Sequence, residues 1–177
     1  MLFSSLVPAL SFTATVKTPI LIGNISTGST LTYADVVSGS VVSEPGFYPI
    51  LNGTTISGGD HLTIDPSQLF NRINIDMLVQ TDDEPPEYIR MLATGTEEAT
   101  QSVLDAVIGA PGAKPVPFGD FQATSSWSFQ TGSEKYGELQ NAVYVGSTSF
   151  RPGVEEGTFT IGFKVSKAVS VKTDISV

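Results

Sequence analysis

The stretch TFTIGFKV, residues 158–165, places Phe159, Ile161, Phe163 and Val165 on one face of an extended chain, with Thr158, Thr160, Gly162 and Lys164 on the other. That period of two belongs to a β-strand, whose successive side chains point to opposite faces. The same alternation recurs upstream: Phe12, Ala14 and Val16; Ile73, Ile75, Met77 and Val79; Ser125, Trp127 and Phe129; and Val143 and Val145 around Tyr144. Between these runs stand turn signals such as Gly23-Asn24, Pro45-Gly46, Asn52-Gly53, Gly58-Gly59-Asp60 and Pro152-Gly153. Asn52-Gly53 suits a type I′ hairpin turn, whose two central residues need positive φ. A single helix is expected near residues 96–108, with Thr96 as N-cap and Glu97 and Glu98 in its first turn. Val103, Leu104, Val107 and Ile108 form its apolar stripe, and Gly109, Pro111 and Gly112 stop it.

About eight to ten short strands with one short helix, in 177 residues without an internal repeat, indicate a single all-β domain spanning residues 1–177. A sandwich and a closed antiparallel β-barrel both fit. The barrel is favoured, because closure removes exposed edges and, at about eight strands, leaves room for side chains or one small ligand. Alternation alone does not say which face of each strand points inward.

Composition removes whole classes of function. Eighteen acidic residues against nine Lys and Arg give a net charge of −9, the wrong sign for a duplex-binding surface, so no nucleic-acid partner is expected. With no cysteine, disulfides, thiolate catalysis and cysteine-ligated metals are excluded, and one histidine, His61, cannot build a His-rich metal site. No apolar run approaches the ~20 residues of a spanning helix. The first ten residues carry no basic residue ahead of their short apolar run, so a soluble cytoplasmic protein is the expectation.

Four places could carry chemistry. Asp60-His61 joins a carboxylate to an imidazole able to move protons near neutral pH, though neighbours on a strand face opposite ways and would not form a dyad. The plainer alternative has Asp60 capping the Gly58-Gly59 turn. Asp82, Asp83, Glu84 and Glu87 crowd a Pro85-Pro86 corner; a solvated hairpin tip is the favoured reading over a calcium loop, whose spacing is absent, and Asp82 alone directly follows a strand. Arg90 in mid-strand either clamps a ligand oxygen with its planar fork of donors or pairs outward with an acid. Trp127, Phe129, Tyr136 and Tyr144, with Tyr88, either shape an apolar ligand pocket or fill an ordinary core. No nucleophile elbow or phosphate-binding glycine loop is present.

Four segments in order resemble a family known only as domain of unknown function three-two-three-seven. They are Gly39–Gly46 through Leu51-Asn52-Gly53 to Gly58-Gly59-Asp60; Thr81-Asp82-Asp83 with Tyr88-Ile89-Arg90 and Gly95; Phe129-Gln130-Thr131-Gly132 with Tyr136 and Leu139; and Tyr144-Val145-Gly146 with the strand at 158–165. Together they cover most of residues 10–167, leaving 168–177 as a C-terminal tail. His61 stands where the family commonly has Trp, Glu84 where it has Gly, and Glu138 and Gln140 where it has Trp and Asn. The resemblance implies a small antiparallel barrel of the lipocalin or allene-oxide-cyclase type and no particular reaction.

The combined expectation is a small-molecule-binding barrel acting without cofactor or metal as an isomerase or cyclase, possible pericyclic chemistry included, on an apolar carbonyl- or phenol-containing metabolite. His61, Asp60, Arg90 and Asp82 are its candidate catalytic residues, and Trp127, Phe129, Tyr136, Tyr88 and Tyr144 its candidate substrate contacts. A non-catalytic, lipocalin-like carrier is the alternative, and a homodimer is the expected assembly.

Overall fold

The computed structural model describes residues 3–170. Ten strands run in chain order: β1 (Ser5–Lys17), β2 (Ile20–Asn24), β3 (Thr30–Ser43), β4 (Asn52–Asp60), β5 (Thr63–Ile64), β6 (Phe70–Thr81), β7 (Tyr88–Glu98), β8 (Ala123–Gln130), β9 (Tyr144–Pro152) and β10 (Thr158–Val169). The helix α1 spans Gln101–Ile108. Eight strands close an antiparallel barrel in the order β1-β10-β9-β8-β7-β6-β4-β3, sealed where β3 returns to β1. The short strand β2 lies outside the ring on β3, and β5 bridges β3 and β6.

The apolar face of each alternating strand points inward. Phe159, Phe163 and Val165 of β10 are buried, as are Ile73, Ile75, Met77 and Val79 of β6 and Trp127 and Phe129 of β8. The chain is therefore an all-β closed barrel with one short helix, as its alternation indicates. Three local expectations are corrected. Asn52 and Gly53 are not a hairpin turn: they begin β4, where a Cβ on Gly53 would meet Gln80 O at 2.7 Å. The helix starts four residues later than its acidic signal suggests, with Thr100 as N-cap accepting from the Val103 N–H at 3.3 Å. Glu97 and Glu98 belong to β7. The expected tail is part strand, since β10 continues to Val169, and residues 171–177 lie outside the described residues.

One irregularity decides the site. Between β4 and β6 the register runs Thr55↔Val79, then Ser57↔Leu78, Gly58↔Met77 and Asp60↔Ile75, so Ile56 is an extra residue. Such a bulge reverses the facing of every residue beyond it. Thr55 points inward before the bulge, and Gly58 and Asp60 point inward after it, opposite the buried Met77 and Ile75. Gly58 has φ +147°, and a Cβ there would sit 2.6 Å from Asp76 O and 2.7 Å from Met77 Cα. Gly58→Ala is accordingly expected to cost about 2–4 kcal/mol from the forbidden backbone and the clash together. Chemical denaturation measures this, and an Ala variant within about 0.5 kcal/mol of the parent would contradict the bulge geometry.

Candidate functional site

The barrel interior divides along its axis. In one half the side chains fill the space: Leu10, Val41, Leu51, Val79, Ile89, Met91, Phe129, Tyr144 and Leu139 are all buried. In the other half a cavity of about 820 Å³ is open, within the size range of small-molecule sites. Phe12, Met77 and Phe163 lie on its inner wall. Trp127 stands behind them, its ring 5.0 Å from Phe163 and 6.4 Å from Phe12. Helix α1 gives Val103, Leu104, Val107 and Ile108 to the cavity wall. Leu104 and Ile108 are half exposed and form an apolar rim.

Three carboxyl groups interrupt this apolar lining; Asp65 is engaged by Arg72, which leaves Asp60 and Glu97 without a cation partner. Asp60, at the inward end of β4, accepts from the Asn74 N–H at 2.8 Å. Glu97, near the end of β7, is 5% exposed and accepts from Asn71 Nδ2 at 3.0 Å across the β6–β7 ladder. Burial raises Asp60 to about 6, against the opposing pull of the Asn74 hydrogen bond and the His61 charge. Burial raises Glu97 further, to about 7, with the Asp60 charge adding to the rise and the Asn71 bond opposing it. The two acids thus titrate as a coupled pair, both shifted up toward neutral pH. Carboxyls raised toward the working pH can act as base and acid.

Among the sequence candidates, only Asp60 lines this cavity. His61 faces outward, its ring tilted 46° against that of Tyr33 with centroids 4.8 Å apart. Arg90 is also on the outer wall, held in a fork by Asp76 (Nε–Oδ1 2.9 Å, Nη2–Oδ2 2.5 Å) and donating to Gln130 at 3.1 Å. His61, Arg90 and Asp76 share a shallow outer groove over Gly58 and Gly59. Asp82 is exposed at the hairpin between β6 and β7. Its neighbour Asp83 instead receives Lys135 Nζ at 2.5 Å and Tyr136 Oη at 2.7 Å. Phe129, Tyr136 and Tyr144 are buried in the filled half, Trp127 is buried behind the cavity-wall residues Phe12 and Phe163, and Tyr88 is half exposed on the outer wall. Glu97 escaped the sequence reading, yet the alternation Ile89, Met91, Ala93, Gly95 in its own strand places it inward.

No helix of the described residues is long and apolar enough to cross a membrane. No curated protein matches the chain. Among solved structures, the fold is similar to a protein of unknown function from Clostridium acetobutylicum ATCC 824 (TM-score 0.70, 20% identity, covering 94% of this chain and all of that one). It is also similar to a conserved protein of unknown function from Rhodopseudomonas palustris (TM-score 0.75, 15% identity, 96% and 100% covered). A more distant likeness is to an enzyme from Penicillium herquei (TM-score 0.54, 19% identity, 92% and 94% covered). At these identities the likeness is one of fold. The profile of the family described as "Protein of unknown function (DUF3237)" matches residues 4–168, and this chain belongs to that family.

Proposed function

We propose that the barrel binds one mostly apolar, carbonyl- or phenol-containing small molecule in its open half and isomerises or cyclises it without a cofactor. The observation that carries this reading is the pair Asp60 and Glu97, two carboxyls whose proton affinities are both raised by burial, on the wall of a mostly apolar cavity. Asp60, in its ionised form, removes a proton from the bound molecule, and Glu97, in its protonated form, supplies one at a second atom. The molecule keeps its composition, and the pair recovers its starting state when Asp60 gives up and Glu97 regains a proton. The apolar wall holds the ligand in one conformation, which converts binding into rate. That a fold neighbour is called an enzyme agrees with this reading without specifying its reaction. A cytoplasmic homodimer belongs to the same proposal.

Native mass spectrometry of gently purified protein is the first test: a bound small molecule should appear as excess mass lost on denaturation, and the subunit number is read from the same spectrum. Incubated with that molecule, the wild-type protein should release a product of identical mass and different retention. Asp60→Asn and Glu97→Gln should each slow that conversion about 10²- to 10⁴-fold, the usual worth of a positioned acid or base. Unchanged conversion in both variants overturns the catalytic assignment. A ligand recovered unaltered after long incubation identifies a carrier instead.

A further inference from the structure

The charge that lines the cavity is one-sided. Its charged lining residues are Asp60 on β4, Asp65 ahead of β6 and Glu97 on β7; no Lys, Arg or His lines it among the described residues. The nearest cation, Arg72 on β6, is committed to Asp65 through a fork with contacts of 3.1 and 2.5 Å. Lys17 at the end of β1 is committed to Asp35 at 2.7 Å on the outer side. Several polar donors of the wall are engaged, while Thr18 Oγ1, Asn24 Nδ2 and Gln68 Nε2 donate to no protein group among the described residues. Asn71 Nδ2 bonds Glu97 at 3.0 Å, Thr32 Oγ1 bonds Leu62 O at 3.3 Å, and Thr30 Oγ1 bonds Asn24 Oδ1 at 2.9 Å. On α1, Gln101 Nε2 bonds Asp105 at 2.7 Å.

Carboxyl acceptors are left over. Asp60 uses Oδ1 on the Asn74 N–H and Glu97 uses Oε1 on Asn71, while the second oxygen of each carboxyl has no protein donor among the described residues. A polar group removed from water needs a partner, and a buried carboxylate needs one more than a neutral group does. These two oxygens are not sealed from the open cavity, so they are accessible to a donor carried by a ligand.

We propose that this cavity selects a ligand whose polar head donates hydrogen bonds, a hydroxyl or a protonated amine on an apolar body, and rejects carboxylates and phosphates. The head sits between Asp60 and Glu97 and donates to their unused oxygens. An anionic head would face two like charges with no cation to offset them, a juxtaposition that disfavours binding. The inference rests on the reading of the open half as a ligand site. It narrows that reading to a phenol or alcohol, or a carbonyl compound carrying such a donor.

Three probes sharing one naphthalene body separate the possibilities: 2-naphthylmethanol, 2-naphthylmethylamine and 2-naphthoate, titrated by calorimetry at about pH 8, above both carboxyl pKa values. The alcohol and the amine are expected to bind, with naphthoate weaker than the alcohol by more than about tenfold. The gap should narrow toward pH 5, where both carboxyls hold protons, and it should narrow at pH 8 in Glu97→Gln. The amine exceeding the alcohol would mark charge as the stronger selector, and equal affinities would mark the donor alone; both support the proposal. Binding of all three within tenfold overturns it and leaves the cavity reading intact. Failure of all three at millimolar concentration overturns both.

Discussion

Glu97→Gln is expected to be more stable than the parent by about 3 kcal/mol at pH 8 and indistinguishable from it near pH 4.5, measured by denaturant unfolding. The folded protein holds Glu97 at about 7 against an ordinary 4.5, chiefly because its carboxylate is taken out of water. Below about 4.5 the group is protonated whether the chain is folded or not, and its burial carries no ionic penalty. Between 4.5 and 7 the unfolded chain releases the proton while the folded chain keeps it, so stability falls as pH rises. Above 7 both are ionised and the full penalty stands. Glutamine keeps the carbonyl that accepts from Asn71 Nδ2, so the variant removes the charge without orphaning the amide.

Asp60 adds to the same slope over its own window, from 3.8 to about 6. The two contributions do not sum, because the Asp60 charge is itself one cause of the shift at Glu97. Net charge is a competing explanation, since the chain carries −9 and any lost carboxylate relieves repulsion. Glu84→Gln, at an exposed hairpin position, makes the same charge change without the burial. If Glu97→Gln gains no more at pH 8 than Glu84→Gln does, the buried-carboxylate account fails. Two acids held at a stability cost on one cavity wall fit the proposed ligand site, since shifted carboxyls cluster at functional sites.

How far the site could be read from sequence follows from where local pattern and tertiary register part company. The strands were legible because each buries one face, as 158–165 shows: Phe159, Phe163 and Val165 are inside, and Lys164 is outside bonding Glu44 at 2.5 Å. That Asp60 and His61 face opposite ways was legible from strand geometry. Which of them faces inward was not, because the extra residue Ile56 shifts the phase of β4, and nothing local marks a bulge except Gly58. Glu97 was misplaced for a different reason. Thr96-Glu97-Glu98 carries the capping and charge signals of a helix start, yet pairing of β7 with β6 and β8 extends the strand through those residues, and the cap passes to Thr100. Arg90 illustrates the converse: its outward pairing with Asp76 was one of two open readings, and only the register placed its cross-strand acid within reach. The aromatic group was legible as buried, but its depth along the barrel axis depends on strand stagger, which alternation does not encode.

That depth is what the second large effect tests. Trp127→Ala is expected to destabilise the protein by about 4 kcal/mol and lower its melting temperature by about 10 °C. Trp127 is 2% exposed, packs against Phe12 and Phe163, and donates from Nε1 to Ser125 Oγ at 2.8 Å. Its removal would leave a void and cost the buried Ser125 hydroxyl the shorter of its two hydrogen bonds, leaving only the one it donates to Gly146 O. Ala34→Leu makes the contrasting change. Ala34 lies on the cavity wall directly across the β3–β4 ladder from Asp60, so its added carbons enter open space rather than a packed core. The expected stability change is within about 1 kcal/mol, because an empty apolar cavity admits extra methyl groups without the strain of overpacking. Ligand affinity should fall about tenfold or more, since the space lost borders the carboxyl that the ligand must reach. The two variants therefore move different quantities: Trp127→Ala the melting temperature, Ala34→Leu the binding isotherm. Equal destabilisation by both would mean that the open half is packed in solution, and the division of one barrel into a structural plug and a ligand chamber would be wrong.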